Sequence, residues 1–186
     1  MANVLPFDEL NNFKTFLQER FGAEKLSKSE EGCEDVIDEL LDLYLLAYAT
    51  GNNVTDGELS SDWTPSLEEV RKVIDKEVAG KTWTERVREY FENEGTVADI
   101  VRIAETDAHR IANTSALESA KKAGATKKTW VTMGDEKVRD AHVYLDGVTV
   151  GIDDDFYTYD GDHAPAPGMF LTAENNVNCR CWLHFS

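Results

Sequence analysis

The sequence has few cysteines, and it contains no long apolar run. Its three cysteines, Cys33, Cys179 and Cys181, cannot all pair within one chain. No stretch of eighteen consecutive apolar residues occurs, so the sequence predicts no membrane span. The first residues lack a basic segment followed by an apolar one, and we therefore expect no secretory signal and thiols that stay reduced.

Basic residues are also scarce. The chain has 19 Lys and Arg residues against 36 Asp and Glu residues, a net charge of −17. The segment 1–80 holds 18 acidic and 7 basic residues, a net charge of −11. Nonspecific binding to nucleic acid depends on cationic side chains, so we expect little of it here. The lysines around Gly124, at positions 121, 122, 127 and 128, are predicted to form a solvated helix end rather than a phosphate-contacting patch.

Several catalytic and binding motifs are absent. The sequence has no nucleophile elbow, no phosphate-binding glycine loop and no dinucleotide fingerprint. The acidic residues in 153–155 and 160–162 lack the spacing of an EF-hand calcium loop. We therefore predict that 153–168 is a solvated acidic loop without regular structure.

The first two thirds of the chain show helical periodicity. Three capping boxes, Ser66 with Glu69, Thr82 with Glu85, and Thr96 with Asp99, indicate helix starts. The last helix is rich in alanine and serine, which allows close packing, so we expect it to be central. The predicted helices are 7–21, 33–48, 67–78, 83–93 and 97–123.

After Gly124 the pattern becomes strand-like. Strands are predicted at 129–133, 148–152 and 180–185, with a short helix at 136–145. Since an isolated strand of this length cannot hold itself, we expect the first and last to meet in one small sheet. The fold class is therefore α+β, with an N-terminal acidic helical part and a long central helix packed on a small C-terminal β-sheet.

The two C-terminal cysteines form a candidate metal site. In an extended chain the side chains of Cys179 and Cys181 point to one face while Arg180 points away. Folding of the sheet brings them near His142, and two thiolates with an imidazole suit tetrahedral zinc. A fourth ligand could be Asp135, His163, His109 or water. Buried free thiols in a small core are the alternative.

Two other pairs of residues could carry chemistry. Glu105 and His109 are four residues apart on one helix face, where they could share a metal or simply form a hydrogen bond. Asp135 and Arg139 are interpreted as an intrahelical or capping pair. His184 ends a strand and is expected to face solvent.

A set of short motifs in 81–186 resembles the phage Mu F-like minor head protein family, also called the phage head morphogenesis family. The most specific motifs are the block from Asp135 through Arg139 to His142 and the ending Asn178-Cys179-Arg180-Cys181. The motif positions are Trp130, Asp135, Arg139, His142, Gly147, Asn178, Cys179 and Cys181. Many members carry Cys-x-x-Cys where this chain has Arg139 and His142, so a metal here would need a substitute ligand or be absent.

The resemblance implies a minor structural protein of a tailed phage or prophage head. It would assemble in the host cytoplasm and end in the head interior, near portal or capsid proteins, with a possible role in DNA packaging or delivery. We predict two domains: an acidic helical hairpin and loop at 1–62, which could bind a partner or mimic DNA, and a head morphogenesis domain at 63–186. No membrane contact is expected.

A second hypothesis is an enzyme. A metal-dependent hydrolase or nuclease delivered with phage DNA could use Glu105, His109, Asp135 and His142 around an ion. His142 would then act as ligand or base, and a carboxylate would orient water.

Overall fold

The computed structural model describes residues 7–22, 26, 28–53 and 64–186. The predicted domain boundary at 62 and most of the loop before it lie outside this part of the chain. The helices are α1 (Phe7–Phe21), α2 (Glu30–Asn52), α3 (Leu67–Ile74), α4 (Trp83–Glu92), α5 (Val97–Lys122), α6 (Asp140–Val143) and α7 (Ala173–Asn176). The strands are β1 (Lys127–Val131), β2 (Thr149–Gly151), β3 (Phe156–Tyr157), β4 (His163–Ala164) and β5 (Trp182–Phe185). Within the described residues no helix is both long and apolar enough to cross a membrane.

The predicted α+β class is confirmed, with α5 at the centre. Its N-terminal half joins α1, α2, α3 and α4 in one hydrophobic core, and its C-terminal half joins the sheet in a second. Small side chains let α2 approach closely, and two serines fix the contact: Ser115 donates to the carbonyl of Tyr48 at 2.8 Å and Ser119 to that of Asn52 at 3.0 Å. The helix therefore connects the acidic helical part to the sheet.

The first and last strands meet as predicted. The three-stranded antiparallel sheet has the order β2-β1-β5, and Trp130 of β1 lies opposite Leu183 of β5. Cys181, Leu183 and Phe185 are buried while His184 is exposed, which confirms the predicted alternation. The chain ending is thus held beside the strand that follows α5.

All three predicted capping boxes are present, but some element bounds differ from prediction. Helix α3 stops at Ile74 because Asp75 leaves helical geometry and accepts a hydrogen bond from the Trp83 indole at 3.1 Å. Helix α2 starts three residues earlier than predicted, at Glu30, with Ser29 as its N-cap, and it extends to Asn52. The predicted helix at 136–145 is reduced to α6.

The prediction that 153–168 lacks regular structure was wrong. Strands β3 and β4 pair there as a short hairpin, Phe156 opposite Ala164 and Tyr157 opposite His163. Two-residue strands have no periodicity that a sequence reading could detect. Lys128 was also misplaced, since it is fully buried rather than part of a solvated helix end.

Candidate functional site

The predicted metal ligands come together at the edge of the second core. His142 lies on α6, and Cys179 and Cys181 lie in the irregular segment just before β5. One ligating atom from each residue lies within 4.8 Å of the other two. All three side chains are buried, with exposed fractions of 1%, 6% and 3%. The backbone turn at Asn178, where φ is 57°, directs the chain into this position.

The histidine faces both sulfurs through one ring nitrogen. Nδ1 of His142 is 3.6 Å from Sγ of Cys179 and 3.5 Å from Sγ of Cys181. The imidazole is held between two aromatic rings, stacked on Phe170 at 5.4 Å and edge-on to Trp130 at 5.3 Å. Its orientation is therefore set by packing before any ligand binds.

A cavity of about 10 Å³ lies against these three residues. A space of this size holds about one water-sized sphere. It could accommodate a single ion or water molecule, and it is too small for an organic substrate.

The two sulfurs differ in proton affinity. The pKa of Cys179 is held well below its ordinary value, first by a hydrogen bond from Cys181 and then, against the opposing effect of burial, by His109 and His142. The pKa of Cys181 is raised, because its thiol donates that hydrogen bond and is itself buried. Cys179 is thus the sulfur that carries negative charge first.

His109 of α5 also affects this environment. From the sequence it was one of several candidates for a fourth metal ligand. It is 3% exposed, and its Nε2 is 3.3 Å from Nδ2 of Asn113. Its other ring nitrogen, Nδ1, is buried and has no hydrogen-bond partner among the described residues. The spacing of charged and small residues along α5 gave no signal that this histidine faces Cys179.

The two arginines of the family motif act on the backbone and on a carboxylate. Arg180 points away from the sulfurs, as predicted, and forms a bidentate pair with Asp135 at 2.7 and 2.8 Å. Arg139 donates to the carbonyl oxygens of Glu174 and Val177 and so fixes the segment before the cysteines. The predicted pairing of Asp135 with Arg139 is therefore wrong, because each finds a different partner.

The residues of the alternative enzyme site are not gathered around one point. Glu105 pairs with Lys14 of α1 at 2.6 Å rather than with His109, and both oxygens of Asp135 accept from Arg180. Of the four candidates only His142 belongs to the group of clustered ligating atoms in the described chain. The hydrolase or nuclease hypothesis is not supported.

Two further motif positions shape the sheet next to the site. Trp130 is fully buried and packs on Phe156 at 5.2 Å. Gly147 has a φ of 76°, and its N–H donates to the Trp130 carbonyl at 2.9 Å. This turn returns the chain from α6 to β2 alongside β1.

The fold and the site define a class of protein: a small α+β module whose C-terminal strand is joined to the preceding helices through a buried cysteine–histidine cluster. The chain belongs to the phage Mu protein F like protein family, whose model matches residues 46–184. The resemblance inferred from the motifs is confirmed, and the match begins upstream of them, within α2.

Two curated relatives are similar to part of the chain. An NAD(+)–arginine ADP-ribosyltransferase EFV of Enterococcus faecalis is 37% identical over 107 residues, which are 55% of this chain and 22% of that protein. The minor head protein GP7 of Bacillus phage SPP1 is 32% identical over 83 residues, 43% of this chain and 27% of that protein. The chain thus spans about a quarter of each relative. No solved structure matches it.

Proposed function

We propose that the chain is a minor head protein of a tailed phage or prophage and acts in head morphogenesis. Its membership of the phage Mu protein F like family over residues 46–184 carries this proposal, and the likeness to a minor head protein supports it. It assembles with the portal or capsid proteins of the same particle and ends in the head interior.

The surface proposed to contact another head protein is the outer face of α2. Asp38, Glu39 and Asp42 are exposed there, next to the half-exposed Leu45 and Leu46. A face of carboxylates beside apolar side chains suits a basic protein surface, and it repels the phosphate backbone of DNA. The partner is therefore a protein rather than the packaged genome.

Arginine ADP-ribosylation is not part of the proposal. The match covers only 22% of the transferase relative, and the chain is also similar to a head protein. Similarity to relatives with such different names is better explained by a common assembly role than by a common reaction.

Particle association tests the proposal. Particles from the phage or prophage that encodes the chain are purified by density gradient, and the chain is detected by immunoblot before and after protease treatment. We expect it to sediment with the heads and to resist protease until the heads are opened. A chain found only in the soluble fractions, with none in the particles, would contradict the proposal.

A charge-reversal variant tests the α2 surface. Replacing Asp38, Glu39 and Asp42 by lysine is expected to reduce incorporation into particles at least tenfold, because the complementary charge is lost. A matched control replaces three exposed acidic residues on other faces, Glu77→Lys, Glu92→Lys and Glu136→Lys, for the same change in net charge. Equal incorporation of the two variants would exclude α2 as the contact.

A further inference from the structure

We propose that His142, Cys179 and Cys181 are the protein ligands of one zinc ion. This inference does not depend on the head assembly role, since it concerns the isolated chain. It follows from the spacing of the three ligating atoms, their burial and the size of the cavity beside them.

The distances among the ligand atoms match those around tetrahedral zinc. With zinc–sulfur and zinc–nitrogen bonds of about 2.3 and 2.1 Å at tetrahedral angles, a sulfur and a nitrogen ligand lie about 3.6 Å apart. Nδ1 of His142 is 3.6 and 3.5 Å from the two sulfurs. One proton on Nδ1 cannot point at both sulfurs equally well, whereas an ion between the three atoms contacts all of them.

The cavity and the donor set indicate the kind of ion. A space of about 10 Å³ next to His142, Cys179 and Cys181 is enough for one ion and leaves no room for a substrate. Thiolate and imidazole donors favour zinc over calcium or magnesium, which prefer oxygen.

The charges of the cluster are better balanced with a cation present. Two buried sulfurs next to each other cannot both lose their protons unless positive charge lies between them. A divalent cation at this place would supply that charge and stabilise both thiolates.

None of the protein candidates for the fourth ligand joins these three residues within the described part of the chain. Asp135 is exposed, and both its oxygens accept from Arg180. Nδ1 of His163 contacts Asp155 at 2.7 Å, and its ring stacks on Tyr157. His109 is buried, but its ring nitrogens lie outside the group of three ligating atoms and it does not line the cavity. Water is therefore the remaining candidate for the fourth position.

The proposed ion would join two parts of the chain that are distant in sequence. One ligand comes from α6 and two from the segment before β5. The ion would therefore add a link between α6 and the segment that leads into β5.

The first experiment uses the full chain without substitution. The protein is purified in buffer without chelator, its zinc is measured by mass spectrometry, and its melting temperature is recorded with and without a strong chelator. We expect close to one zinc per chain and a lower melting temperature after chelation, because the ion binds only the folded state. Zinc near zero, or a melting temperature that chelator leaves unchanged, would overturn the proposal.

The second experiment tests the histidine ligand. Cobalt replaces zinc, and its visible bands report tetrahedral coordination while its near-ultraviolet band reports thiolate ligands. His142→Gln is expected to weaken metal binding at least about tenfold and to reduce the visible bands, whereas the matched control His163→Gln changes neither. A His142→Gln protein with the affinity and spectrum of the unsubstituted chain would overturn the role of His142.

Discussion

At the scale of single residues, Asp162 organises the loop that covers the second core. Its carboxylate accepts hydrogen bonds from the backbone N–H groups of His163, Leu171 and Thr172, the Thr172 hydroxyl and the Asn175 amide, at 2.6 to 3.2 Å. Asp162→Asn puts an amide N–H group against these donors, so we expect a loss of about 3 kcal/mol in the free energy of unfolding. Urea unfolding measures this loss. Glu136→Gln, which replaces an exposed carboxylate, is the control.

The lowered pKa of the same carboxyl group makes part of the free energy of unfolding sensitive to acid. Burial acts to raise its pKa, but the hydrogen bonds from Asn175, Thr172 and Leu171 outweigh this effect and lower the pKa from 3.8 to about 2. The shift contributes about 2 kcal/mol above pH 4, which is lost as the pH falls from 4 towards 2. The difference in urea midpoint between the unsubstituted chain and Asp162→Asn should therefore narrow over that range. A constant difference would contradict the assignment.

Lys128 is a second residue whose charge bears on stability. It is fully buried, its Nζ lies 5.6 Å from the Phe156 ring centroid, and no hydrogen-bond partner for Nζ is found in the described part of the chain. Burial, with a smaller effect of Lys121, lowers its pKa to about 8. Below pH 8 the buried charge therefore lowers the free energy of unfolding. This loss of stability disappears as the pH rises from 8 to 10.5, because Lys128 then loses its proton in the folded state first.

Removing this charge is expected to stabilise the chain. Lys128→Met should raise the free energy of unfolding by about 1 to 2 kcal/mol at pH 7, and the gain should shrink at pH 10. The neighbouring Lys127 is exposed, so Lys127→Met is the matched control and should have little effect. A Lys128→Met protein that is less stable at pH 7 would show that the buried ammonium is stabilised by its surroundings.

At the scale of elements, the contact between α2 and α5 depends on a glycine. A Cβ atom placed on Gly51 would lie 2.1 Å from the Ala112 carbonyl oxygen, so the two helix backbones touch there. In an exposed helix, exchanging glycine for alanine stabilises by up to about 1 kcal/mol. We predict the opposite sign for Gly51→Ala, a loss of about 2 kcal/mol, because α2 must move away from α5.

The control for this prediction is another glycine of the same helix. A Cβ atom on Gly32 would meet only side-chain atoms, the nearest in the Phe21 ring at 3.1 Å, and that ring can shift. Thermal unfolding of both variants measures the difference. If the Gly51→Ala protein is as stable as the Gly32→Ala protein, then α2 and α5 do not approach each other as closely as described.

Elements with local signals were predictable, and those fixed by distant contacts were not. The starts of α3, α4 and α5 follow from capping boxes, which need only four neighbouring residues. The hairpin of β3 and β4 depends on bonds such as Asp155 to His163 and has no periodicity. The predicted helix from 136 is shortened to α6. Asp135 accepts hydrogen bonds from the Lys137 N–H and from Arg180, and these bonds keep the residues before α6 in a turn.

At the scale of the whole molecule, the chain is arranged around α5, which packs on the acidic helices at one end and on the sheet at the other. The sequence predicted the meeting of His142, Cys179 and Cys181, because β-strand pairing brings the two segments together. It did not single out His109, since a histidine on a helix face gives no indication of which neighbour it will meet. That neighbour depends on how α5 rotates against the sheet.

The central claim is that a zinc ion held by His142, Cys179 and Cys181 joins α6 to the segment before β5. X-ray absorption at the zinc edge, on the protein in solution, tests it most directly. We predict two sulfur scatterers at about 2.3 Å and one imidazole nitrogen at about 2.0 Å. A zinc shell of oxygen and nitrogen alone, or protein that contains no zinc to absorb, would contradict it.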